Sequence, residues 1–133
     1  MTYAAKTTVS TDKTRVEIEK LLRKSGATRI GVLTEPRQAG IVFVLNNLHI
    51  KFVLPLPDPK APKADQRMRT AWRGLFLCIK AKMESVTSGI ETFEESFLAH
   101  VMTPDGTIYE HLRPRLVEIA KGTALPLLTG PHP

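Results

Sequence analysis

The sequence predicts an α+β domain: an N-terminal helix, a three-stranded antiparallel meander, then a long helix and two or three shorter C-terminal helices. Three observations predict it. Apolar residues recur at helical spacing in two segments, near residues 12–25 and 64–87. Alternating apolar runs flank Asn46-Asn47, as in a tight β-hairpin. The segments follow in the order α-β-β-β-α-α-α, which places helices behind one sheet. With 133 residues, 42% hydrophobic and 24% charged, the chain suits one domain with a single core.

The elements follow in order. Residues 1–10 are polar and read as a flexible arm. The first helix is expected from about Asp12 to Ser25, with Thr11 as N-cap and Gly26 as the residue that ends it. Ile18, Leu21, Leu22 and Ser25 share one face, with Glu17, Glu19, Lys20 and Lys24 elsewhere. TRIGVLT, residues 28–34, reads as a strand, and EPRQAG as a turn. In the hairpin GIVFVL-NN-LHIKFVL, a two-residue loop pairs Leu45 with Leu48, Phe43 with Ile50 and Ile41 with Phe52. Those six form a core face. Val42, Val44, His49, Lys51 and Val53 occupy the other, half-apolar face.

Residues 55–63 are proline-rich and form an extended connector, because proline fixes φ and has no N–H. A long helix is expected over Ala64–Thr87, stopped near Gly89. Thr92-x-x-Glu95 has capping-box spacing, and the helix it opens sets Phe93, Phe97, Leu98 and Val101 on one side. TPDGT is a turn. The last helix covers about Ile108–Lys121, where Pro114 is expected to kink or divide it. Residues 123–133 form an apolar, proline-rich tail.

One cysteine excludes an internal disulfide and any multi-cysteine zinc site, and suits a reducing compartment. The opening MTYAAKTTVSTDKTR has no apolar segment, so no secretory signal is expected. No apolar run approaches the ~20 residues that span a bilayer. The expected setting is cytoplasmic, with no membrane partner.

The net charge of +6 is concentrated. Lys60, Lys63, Arg67, Arg69, Arg73, Lys80 and Lys82 face a single acid, Asp65, between residues 60 and 82. That window holds the whole excess, and the rest of the chain is neutral. A localised basic patch is the footprint expected for a polyanion. On a helical wheel Met68, Trp72, Leu75, Ile79, Met83 and Val86 form the core stripe. Arg69, Arg73 and Lys80 lie within about 40° of one another beside it. Trp72 and Phe76 fall where the stripes meet, a placement suited to stacking or cation–π contact. The alternative is a packing helix whose long basic side chains snorkel to solvent.

No catalytic motif is recognised, and neither cofactor nor metal is expected. His49, His100, His111 and His132 show no ligand spacing. His100 with Glu94, or His111 with Glu110 and Tyr109, makes an acid–base pair only if the fold unites them; ordinary surface or cap roles are the expectation. Cys78 is expected to be a buried, inert thiol. No P-loop, GxGxxG, RRM or helix-turn-helix signature is present.

The segments MTYAAKTTVS, EIEKLLRKSGAT, FVLPLPD, WRGLFLCIKAKMESVTSGI and TFEESFLAHVMTPDG span most of the chain. In them the sequence resembles a family of small proteins encoded by phages, prophages and their bacterial hosts, with no established activity. The resemblance implies a phage or mobile-element setting in a bacterial host, near replication or recombination genes, and assigns no residue a role.

The expected function is a non-enzymatic nucleic-acid-binding accessory protein, weakly selective for sequence, with DNA or RNA as partner. Arg69, Arg73 and Lys80 would contact phosphates. Lys60, Lys63 and Arg67 extend the track, and Lys51 and Arg29 join it if the sheet lies alongside. The rival expectation is a protein-interaction module or inhibitor acting on a host defence complex. The apolar tail and outer sheet face suggest a homodimer.

Overall fold

Ser10 rather than Thr11 caps the first helix, α1 (Thr11–Lys24): its hydroxyl accepts the Lys13 N–H at 3.2 Å. The computed structural model describes residues 7–122, so most of the expected arm and the whole tail, 123–133, lie outside the described residues. Gly26 ends α1 as expected, at φ +97°. The Ala27 N–H reaches back to the Leu22 carbonyl at 2.9 Å and the Gly26 N–H to that of Arg23 at 3.0 Å.

Strands β1 (Thr28–Thr34), β2 (Gln38–Leu45) and β3 (Leu48–Pro55) form an antiparallel sheet in that order. The β2–β3 register matches the expected pairs Leu45–Leu48, Phe43–Ile50 and Ile41–Phe52. Asn46 and Asn47 both take positive φ, +52° and +63°, which gives a two-residue turn the twist its strands need. The β1–β2 connection is shorter than EPRQAG suggested. Pairing extends to Gln38, whose carbonyl accepts the Glu35 N–H at 2.8 Å. A bulge between Thr28 and Gly31 puts Arg29 at φ +53°.

The buried side chains make one cluster between the sheet and two helices. Ile41, Phe43, Ile50 and Phe52 face Ile18 and Leu22 of α1, and Trp72, Leu75, Ile79 and Met83 of α2 (Ala64–Thr87). Met68 and Val86 pack at its margins. Residues 56–63 have no regular secondary structure, as their prolines require. Their start is pinned by buried Leu56, whose N–H donates to the Arg37 carbonyl.

The C-terminal third departs most from expectation. The capping box at Thr92 and Glu95 is present, but α3 spans only Phe93–Phe97. A 3-10 turn follows over Leu98–His100 and leaves Leu98 exposed. Val101 leaves the helical path because its backbone bridges to Ile50 on the outer edge of β3. TPDGT is the turn of a small hairpin, β4 (Met102–Thr103) and β5 (Gly106–Thr107). Helix α4 (Ile108–Gly122) runs through Pro114 undivided. The proline removes one N–H at a solvent-facing position and buries no polar group by doing so. No residue of α4 is buried. Cys78, expected inside, is exposed: it sits on the solvent side of α2, one position from buried Ile79.

Candidate nucleic-acid interface

The basic window begins in the proline-rich connector. The Asp58 carboxylate accepts the Lys60 backbone N–H at 2.9 Å, and the Asp58 carbonyl accepts the Ala61 N–H at 2.9 Å. This turn presents Lys60 to solvent. Lys63 precedes α2 in the left-handed region at φ +58°, and no side chain caps the helix. Arg67 lies one turn further on. Lys60, Lys63 and Arg67 are exposed, and among the described residues none is ion-paired.

Arg69 and Arg73 are placed differently. Arg69 is half-buried and donates to the Gln66 side-chain oxygen at 2.7 Å. Gln66 in turn donates to the Thr7 carbonyl at 2.9 Å, so the pair ties the incoming chain to α2. Arg73 donates to Glu17 of α1 at 3.0 Å, with the two side chains only 22% and 31% exposed. Its guanidinium lies 4.5 Å from the Phe76 ring centre. Arg73 thus joins α1 to α2.

The aromatic margin is a correction. Trp72 is 2% exposed and Phe76 9%, so neither ring can stack on a base. Their cation contacts are internal, Arg15 over Trp72 at 5.4 Å and Arg73 over Phe76. Lys80 is half-exposed and 4.0 Å from Glu84. It lies about 20 Å along the helix from Arg67. Lys82 fastens α3: its ammonium donates to the Ser96 carbonyl at 3.1 Å, and the Ser96 hydroxyl donates to the Lys82 carbonyl at 3.1 Å.

Lys51 does not join this surface. It alternates with buried Ile50 and Phe52, so it projects from the sheet face opposite α2. There it lines a cleft of about 520 Å³ with Val53, Ala99, His100, Tyr109 and Glu110. Arg29 is exposed on the β1 bulge.

The same cleft gathers titratable groups from distant parts of the chain. The His100 ring stacks on Phe52 at 3.9 Å, with Nδ1 3.3 Å from the Lys51 carbonyl. That carbonyl only accepts, so Nδ1 carries the proton. Burial holds the imidazole below its ordinary pKa, the Lys82 charge adds to the effect, and the Lys51 carbonyl opposes it. Glu110 accepts the Thr107 N–H at 3.1 Å and the Thr107 hydroxyl at 3.0 Å. These bonds lower its pKa, the backbone one most. Its carboxylate is thereby engaged as the cap of α4. His111 meets the Thr103 hydroxyl at 2.9 Å. Neither histidine forms the carboxylate pair that sequence adjacency raised, and no group of metal-ligating side chains occurs among the described residues.

Sequence reasoning missed the internal use of Arg73 and the His100 cleft. Glu17 sits on the α1 flank toward α2, and that position was the one available signal for the first. The second depends on the chain crossing β3 at Val101, which no local pattern marks. No family model, curated protein or solved structure matches the chain.

Proposed function

We propose that the protein is a nucleic-acid-binding accessory protein of phage or mobile-element origin, acting without catalysis in the cytoplasm of a bacterial host. One observation carries this reading. The chain's whole charge excess lies in one window, and its leading part, Lys60, Lys63 and Arg67, is exposed and unpaired among the described residues. The three stand close in sequence at the head of α2, a spacing suited to following a phosphate backbone. Arg69 and Lys80 extend the track on either side of the internal Arg73. With no exposed aromatic ring beside these cations among the described residues, contact is to phosphate and selectivity among sequences is weak.

Titration of labelled single- and double-stranded DNA and RNA tests the reading. Binding is expected at low salt, falling steeply as salt rises. Lys60→Glu, Lys63→Glu and Arg67→Glu together are expected to abolish it with the thermal transition retained. A native protein that binds none of the four probes at low salt, or a triple variant that binds like the native chain, refutes the proposal.

A second reading, a protein-interaction module or inhibitor of a host complex, draws on α4. Tyr109, Leu112, Leu116, Val117 and Ile119 are each 39–48% exposed on a helix that buries nothing. Stoichiometric capture of one host protein, unaffected by nuclease, would favour it. Among the described residues no helix is long and apolar enough to cross a membrane.

A further inference from the structure

The two edges of the three-stranded sheet are treated differently. The outer edge of β3 is met by Val101, which bridges to Ile50 and leads into β4. The outer edge of β1 meets no strand among the described residues. Because Glu35 and Gln38 form a hydrogen-bonded pair, alternation directs the amides of Leu33 and Gly31 toward β2. Those of Val32 and Thr34 point away from the sheet. The bulge and the exposed Arg29 interrupt only the start of this edge; from Ile30 to Thr34 it carries no charge and no proline, and Leu33 is 64% exposed. Natural sheets protect such edges with charge, proline or cover, because bare strand backbone recruits another strand. A groove of about 470 Å³ runs beside this edge, lined by Asp12, Arg15, Val16 and Glu19 of α1 and by Ile30 and Val32 of β1.

We infer that β1 is the interface between two copies of this chain, pairing antiparallel with β1 of the second copy about a two-fold axis to make one six-stranded sheet. The charge order along α1 selects this occupant. Asp12, Arg15, Val16, Glu19 and Arg23 share the flank of α1 toward β1, reading acid, base, apolar, acid, base. A two-fold axis through the β1 edge sets this flank against its own reverse. Asp12 then faces Arg23 of the second copy, Arg15 faces Glu19, and the half-exposed Val16 side chains meet. Glu19 and Arg23 already pair along the helix at 3.0 Å and Arg15 lies over Trp72 at 5.4 Å, so the second copy would join these into one alternating network, each charge beside its opposite, as an isologous contact requires. The outward-pointing amides of Val32 and Thr34, which meet no strand among the described residues, supply the strand–strand hydrogen bonds.

Sedimentation velocity on the full chain across the micromolar range tests the inference. A native dimer is expected. Thr34→Pro removes an outward donor from each copy and is expected to weaken association roughly thirtyfold. It leaves the β1–β2 ladder intact, since that N–H is not part of it. Asp12→Lys and Arg23→Asp are each expected to be monomeric, and a mixture of the two to dimerise again. The exchange test holds even if the proline variant fails to fold. A monomeric native protein overturns the inference. So does a mixture of the charge variants that stays monomeric, or a native dimer lost only when Leu112 and Leu116 of α4 become Glu.

Discussion

His100 has a consequence for stability that follows from its place against Phe52. Its pKa in the folded protein is below the ordinary 6.5, with burial the main cause. The unfolded chain therefore binds the proton first as pH falls. Stability is full above 6.5, declines as pH drops through 6.5 toward the folded value, and then levels. Melting temperature followed across that range should fall, and His100→Asn, which keeps a donor for the Lys51 carbonyl, should flatten the decline. Unchanged pH dependence in that variant would remove His100 from the account. Arg73 makes a different point at the same scale. A glutamate there would face Glu17 and break the α1–α2 tie, so Arg73→Glu cannot report cleanly on nucleic-acid binding. A double-mutant cycle with Glu17→Gln and Arg73→Met, read by chemical denaturation, should give a coupling of about 1 kcal/mol. A coupling near zero would mean that the contact adds little to the fold and that Arg73 is available to a ligand.

At the scale of elements, the head of α2 shows a conflict between stability and charge. Lys63 occupies a left-handed conformation that glycine adopts freely and that costs other residues about 1 kcal/mol. Lys63→Gly should therefore raise stability by about that amount in a denaturant titration. The same change should weaken polyanion binding, since it removes one of three exposed cations. If stability and binding move in the same direction, the backbone strain and the binding role are not separate properties of this position. Helix α4 has the opposite character. Its first turn is fixed by the mutual bonds of Thr107 and Glu110, while everything beyond Ile108 is exposed. A helix of this length draws most of its stability from a packed face, and here, among the described residues, only Ile108 packs against the core.

For the whole molecule, the distribution of charge matters more than its total. Seven basic residues lie between positions 60 and 82, but Arg73 and Lys82 are spent inside the fold, Arg69 is half-buried and Lys80 stands 4.0 Å from Glu84. Under the proposed function, Lys60, Lys63 and Arg67, exposed and without an ion pair among the described residues, would supply about three phosphate contacts per copy. That number predicts a slope of log affinity against log salt of roughly −3 for duplex DNA. A slope of about twice that would be the mark of two copies engaging one duplex, and a slope near zero would exclude phosphate contact as the source of affinity.

The sequence alone determined the frame. The Asn46-Asn47 turn set the β2–β3 register, because two positive-φ residues and strict alternation leave one pairing that buries Phe43, Ile50 and Phe52 together. The heptad-like spacing of α2 and the Thr92–Glu95 capping box were equally local, and so were readable. The tertiary structure decided what the charges do. Arg69, Arg73 and Lys80 share a helical face, but only the position of Glu17 on another helix commits Arg73 to the interior. Whether Val101 continues a helix or covers a sheet edge depends on Ile50, far away in sequence. Periodicity gives the face a residue occupies. A partner across the fold decides whether its charge is satisfied or free to bind.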